Sequence, residues 1–158
     1  MSVEITGQGS RIPTRLAFLL LMIGGGFAIG MISAPGEWYA SLDKPFFNPP
    51  NWVFGPVWTL LYVLIAMAGW RTWESGRSSI RMALWWGQLF LNFLWSPVFF
   101  ALQQPWIAMI IVLLMLATII LFVLRSWAVD RVSALLFLPY AAWVGFASVL
   151  KLFLAILN

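Results

Sequence analysis

Charged residues are sparse along this chain, and the uncharged stretches between them set its architecture. Twenty-one uncharged residues separate Arg15 from Glu37, 26 separate Lys44 from Arg71, 43 separate Arg81 from Arg125 and 19 separate Arg131 from Lys151. The hydrocarbon core of a bilayer takes about 20 helical residues to cross, so three of these runs each predict one span. The run of 43 is too long for one crossing and holds Gln103-Gln104-Pro105 at its middle, where a turn divides it. The pattern therefore predicts an all-α membrane protein, a bundle of five transmembrane helices at about 16–34, 52–72, 80–102, 106–126 and 132–156. Leu113 to Leu124 shows none of the alternation of a barrel strand. Residues 1–15 read as an N-terminal tail and 16–156 as one domain. The first apolar run exceeds a signal-peptide core and ends in Ser33-Ala34-Pro35, a poor cleavage site, so it is expected to remain as a span.

Composition agrees with hydrocarbon as the solvent. Hydrophobic residues make up 63%, charged residues 9%, and the mean hydropathy is +0.94; a soluble domain carries about 25% charged residues. With five spans, Arg11, Arg15, Arg71, Arg77, Arg81, Arg125 and Arg131 fall on one side and only Lys44 and Lys151 on the other. Basic loops stay in the cytoplasm, which predicts an N-terminus inside and a C-terminus outside. The same loops, facing anionic lipid, account for the net charge of +4 without nucleic acid. There is no cysteine and no histidine. That removes disulfides, thiolate metal sites, the usual haem ligand and the usual general base. The five acids, Glu4, Glu37, Asp43, Glu74 and Asp130, all lie outside the spans. An ion-coupled carrier buries a carboxylate or an ion pair in mid-membrane, so ion-driven transport is not expected. Lys151 lies near enough to the end of the fifth helix to snorkel to the surface.

The chemistry that remains is aromatic. Of eleven tryptophans, Trp52, Trp70, Trp73, Trp106 and Trp127 fall near span ends and read as belt anchors. Trp58, Trp95 and Trp143 lie inside spans, where an indole N–H needs a partner in the bundle or in a ligand. Each belongs to a stripe: Phe54, Trp58 and Tyr62 on the second helix; Asn92, Trp95, Ser96 and Phe99 on the third; Tyr140, Trp143 and Ala147 on the fifth. Such faces suit an apolar pocket with a few polar handles and suit ordinary packing between helices equally well. Pro97 and Pro139, inside helices, are expected to bend them. The loop at 35–51 carries prolines at 35, 45, 49 and 50, which resist helix, together with Trp38, Tyr39, Phe46 and Phe47. It reads as a lid over a pocket, with an interfacial aromatic belt as the alternative.

Trp38-Tyr39, Leu42-Asp43-Lys44-Pro45 and Pro49-Pro50-Asn51-Trp52-Val53-Phe54-Gly55-Pro56-Val57-Trp58 are followed by Gly87-Gln88-Leu89, Asn92, Trp95-Ser96-Pro97-Val98-Phe99-Phe100, Pro139-Tyr140, Trp143 and Phe146-Ala147. In this order, over about residues 16–150, they resemble the TspO/MBR family of tryptophan-rich sensory and translocator proteins (the peripheral benzodiazepine receptor family). The resemblance implies a five-helix bundle, often a homodimer. It implies a pocket at the lid end for porphyrins such as protoporphyrin IX and haem, for sterols in animal members, and for benzodiazepine- and isoquinoline-class drugs. The family's ligand-binding positions fall on Trp38, Tyr39, Phe54, Trp58, Tyr62, Asn92, Trp95, Trp143 and Ala147. No metal or resident cofactor is implied.

Some bacterial members are reported to break down porphyrin in light, and the resemblance makes Trp58 and Trp143 the candidates for that chemistry. Ligand binding or sensing without turnover is the main expectation here. Light- and oxygen-dependent degradation and passive tetrapyrrole or sterol carriage are the alternatives. The family's dimer contact involves the third helix, where Ala83 and Gly87 form a small-xxx-small pair; Gly26 and Gly30 on the first helix offer a competing face. Two departures stand out. No tyrosine follows Tyr140, so the animal cholesterol motif is missing, and Lys151 replaces the usual asparagine. A bacterial source is expected.

Overall fold

The computed structural model describes residues 11–158; the residues before Arg11, including Glu4 and most of the expected tail, lie outside the described residues. The described chain is helical, with no strands among the described residues. The elements are α1 (Arg11–Ile32), a short α2 (Glu37–Ser41), α3 (Asn51–Ser75), α4 (Ile80–Ser96), α5 (Pro105–Trp127) and α6 (Arg131–Leu157). Four of them, α1, α3, α5 and α6, are long and apolar enough to cross a membrane. α4 has 17 residues and continues directly into a π-helical turn over Pro97–Ala101. Element ends fall within a few residues of the expected ones except at α1, which starts at Arg11 and takes up residues assigned to the tail.

Local chemistry explains the boundaries. Ser79 caps α4 by accepting from the Met82 N–H at 3.2 Å. Asp130 caps α6, accepting from the N–H and hydroxyl of Ser133. Arg71, on α3, grips the same carboxylate with two hydrogen bonds of 3.1 and 2.9 Å, tying α3 to the start of α6. Pro97 lacks the N–H that would continue the α-helical ladder. The chain widens there, the Leu102 N–H bonds the Pro97 carbonyl at 2.9 Å, and Gln103 turns the chain with φ of 54°.

Around the bundle the order is α1, α3, α6, α5, α4, with α4 returning to touch α1. The end holding the short 76–79 and 128–130 connections is close-packed. Trp85 is fully buried there and donates its indole N–H to the Ile65 carbonyl at 2.9 Å. Its ring and that of Phe18 fill the space above Gly69, where any Cβ would meet both at 2.6–2.7 Å. Glycine at 69 is what lets α1 and α4 close onto α3. Trp70 and Trp73, expected as belt anchors, are partly buried against this core, whereas Trp52, Trp106 and Trp127 are exposed.

The proline-rich loop differs from expectation. It contains helix α2, which occupies the proline-free window between Pro35 and Pro45. Lys44 closes that helix by donating to the carbonyls of Tyr39, Leu42 and Ala40 at 2.8, 3.2 and 3.4 Å. The loop lies across the bundle end. Phe47 packs edge-on against Phe146 and Phe153, and Asn158 bonds the backbone of Asp43 on both its N–H and its carbonyl. Phe46 points fully outward.

Candidate functional site

The α2 end of the bundle is hollow where the other end is full. A cavity of about 640 Å³ lies there, within the range of small-molecule sites. Its walls come from α1 (Ile23, Gly26, Ile29), α3 (Phe54, Trp58, Tyr62), α4 (Asn92, Trp95, Ser96) and α6 (Trp143, Ala147, Leu150); Val112 and Met115 of α5 form its floor and Tyr39 its roof. Phe27, Pro35, Asn51, Gly55 and Thr59 also line it and are exposed, so the space reaches the outer surface along the seam between α1 and α3.

The three stripes expected from spacing meet here. The indoles of Trp58 and Trp95 stack with centroids 6.2 Å apart and an interplanar angle of 28°. Tyr62 lies 5.5 Å from Trp58, and Phe54 meets Trp143 edge-on at 5.8 Å. Tyr39, Phe54, Trp58, Tyr62, Asn92, Trp95, Trp143 and Ala147 all line the one cavity. Trp38 does not. The turn of α2 that brings Tyr39 inward sends Trp38 onto Phe99, 5.4 Å away, beside a separate cleft of about 200 Å³.

The polar groups divide into satisfied and unsatisfied sets. Tyr62 donates its O–H to Asn92 Oδ1 at 3.3 Å; Asn92 Nδ2 donates to the Tyr140 oxygen at 2.7 Å; Tyr140 donates to Gln88 Oε1 at 2.8 Å. This chain links α3, α4 and α6 and leaves the Gln88 amide N–H₂ without a partner among the described residues. Ser33 donates to the Ile29 carbonyl at 2.6 Å and so accepts from Ser96 at 2.8 Å, joining α1 to α4. The Trp143 indole N–H is buried and has no hydrogen-bond partner among the described residues. Burial pushes the Tyr39 phenol above its usual value, with Asn48 pulling the other way, so the roof of the cavity is neutral at physiological pH.

One cavity residue departs from the sequence reading. Lys151 does not snorkel: it is 6% exposed and lines the cavity, with its Nζ 3.3 Å from the centre of the Phe99 ring and 4.9 and 5.1 Å from those of Trp95 and Phe100. α6 runs on to Leu157, which leaves Lys151 about two turns from its end and on its buried face. Gly26 and Gly30, offered as a competing contact face, both line the cavity; Gly30 is exposed, while Gly26 is covered by the Tyr62 ring. Of the suggested dimer pair, Ala83 is exposed, while Gly87 is half-buried with Thr118 of α5 beside it.

A helical, multi-pass integral membrane protein with an aromatic cavity at one end is the class that fold and site define. Residues 17–157 match the TspO/MBR family, and the chain belongs to that family. It is 41% identical over 147 residues to the tryptophan-rich protein TspO of Archaeoglobus fulgidus, covering 90% of this chain and 95% of that one. The tryptophan-rich sensory protein of Cereibacter sphaeroides is 34% identical over 129 residues, 82% of each chain. The human translocator protein is also 34% identical, over 120 residues, 73% of this chain and 71% of that one.

Proposed function

We propose that this protein binds porphyrins such as protoporphyrin IX, and similar flat apolar molecules, within the membrane as a receptor or sensor. Haem and drugs of the benzodiazepine and isoquinoline classes would share the site. One observation carries the reading: a cavity of about 640 Å³ walled by the stacked indoles of Trp58 and Trp95 together with Trp143 and Phe54. Stacked indoles offer a wide π surface to a planar guest, and the seam between α1 and α3 gives it a way in from lipid. In this reading α4 and its π turn, 17 and 5 residues, together make the fifth span. The α2 loop is the lid, pinned by Asn158. The arginine-rich loops face the cytoplasm, and two copies associate through the Ala83 face of α4.

Tryptophan fluorescence of the purified protein, titrated with protoporphyrin IX, haem and cholesterol, tests the proposal. Saturable quenching by protoporphyrin IX is expected, weakened about tenfold, about 1.4 kcal/mol, by Ala147→Leu, which puts bulk into the cavity. Identical titrations for the native and Ala147→Leu proteins would overturn it. Illumination in air separates binding from turnover: many equivalents of a defined product, lost in Trp58→Phe and Trp143→Phe, would establish catalysis.

A further inference from the structure

Lys151 is the only basic side chain among the described residues that lines the aromatic cavity. Its ammonium stands between α6 and the π turn, enclosed by the faces of Phe99, Trp95 and Phe100. Trp95 and Phe100 are themselves cavity wall. Ring faces attract a cation through their quadrupole but accept no conventional hydrogen bond from it. The ion pairs among the described residues join Arg15 to Glu74 and Arg71 to Asp130, and none of the described carboxylates lies within 4 Å of the Lys151 Nζ. A buried lysine Nζ with three donors when protonated and only ring faces around it is an incomplete arrangement in a low-dielectric setting. It is completed by an anionic group delivered with a guest.

We infer that Lys151 is the carboxylate-binding residue of this cavity, so that the site selects flat aromatic molecules bearing an acid over their neutral counterparts. The geometry suits a guest with its ring system between Trp58, Trp95 and Trp143 and its acid toward the π turn and the lid. Carboxylate is favoured because it fits a compact point charge in a narrow aromatic cage. The acid arm of a tetrapyrrole and the head of an aromatic fatty acid share that chemistry. The inference rests on the cavity being a site for planar ligands, as proposed above.

The test uses two pairs of probes on the detergent-solubilised full chain, with protein-free micelles as the blank. One pair is protoporphyrin IX and its dimethyl ester; the other is pyrenebutanoic acid and its methyl ester. The native protein is expected to bind each acid at least about tenfold more tightly than its ester, about 1.4 kcal/mol. Lys151→Met keeps the unbranched stem against the rings and removes the charge. It should weaken the acids by about that factor and leave the esters unchanged, and the retained ester affinity reports an intact cavity. Lys151→Arg should keep the preference. Equal affinity of acid and ester for the native protein, or a preference that survives Lys151→Met, would overturn the role of Lys151 while leaving porphyrin binding standing. Should the pyrene pair be discriminated through Lys151 while neither porphyrin saturates, the porphyrin reading falls and the carboxylate site stands. No saturable binding of any of the four probes defeats both.

Discussion

Tyr140 is the residue on which the polar interior depends. Its single hydroxyl accepts from Asn92 and donates to Gln88, so removing it orphans two buried groups at once. Tyr62 sits at the end of the same chain on a 3.3 Å bond, and losing it disturbs only one acceptor. A buried group left unsatisfied costs about 1–3 kcal/mol in water-soluble folds, and interhelical hydrogen bonds in membranes average about 0.6 kcal/mol. Tyr140→Phe is therefore expected to cost about 1–2 kcal/mol and Tyr62→Phe less than about 0.5 kcal/mol, read as midpoints of thermal unfolding in detergent. Equal effects would mean that the chain does not act as a unit. The residues that meet at the cavity were legible in sequence where their period was clean: Phe54, Trp58 and Tyr62 recur every four positions and share a helix face. Lys151 was not. A basic residue near a helix end snorkels or turns inward according to which face of the helix it occupies, and that depends on how α6 is rotated against its neighbours. Trp38 and Tyr39 are adjacent in sequence, yet α2 splits them between two cavities.

At the scale of elements, the junction of α3 and α6 rests on Asp130. Its carboxylate caps α6 and receives two bonds from Arg71, with 14% of the side chain exposed. Burial alone would push this carboxyl up, but the Arg71 guanidinium and Ser133 outweigh it and hold it at about 2. Because the value is depressed on folding, the contribution is present above the unfolded value of about 4 and is lost as the pH falls through that value toward 2. Asp130→Ala should cost about 1–3 kcal/mol at neutral pH and flatten the fall in unfolding temperature between pH 4 and 2. An unchanged acid limb would remove Asp130 from the account. Packing at the full end makes a second test. Gly69→Ala drives a methyl into Trp85 and Phe18 and should cost about 1–3 kcal/mol by overpacking. Proline positions announced a break at 97 but not its form. The π turn follows from closing the helix end with the bond from Leu102 to Pro97 and the reversal at Gln103, neither of which has a sequence signature. In the loop, the prolines hid α2 because the window between Pro35 and Pro45 is free of them and Lys44 supplies the terminal cap.

For the whole molecule, the proposed association and orientation each predict a measurable outcome. Ala83 is the clean probe of a dimer face, since Gly87 already has Thr118 beside it and a larger residue there would disturb the monomer. Ala83→Ile is expected to weaken association about tenfold, 1.4 kcal/mol, in dilution experiments read by light scattering, without altering the unfolding temperature. Reporter tags at both ends should place the N-terminus in the cytoplasm and the C-terminus outside; the reverse result would invert the topology. Hydrophobic run lengths, charge spacing and aromatic period by themselves determined that this chain is helical, lies in a membrane and carries three aromatic faces, because each of these is a property of a single segment in hydrocarbon. Whether those faces pack shut or stand apart was decided only when α1, α3, α4 and α6 came together. Side-chain volume at the Trp85 end fills the space between the helices, whereas the α2 end keeps a hollow, and the face α6 presents there places Lys151 on its wall.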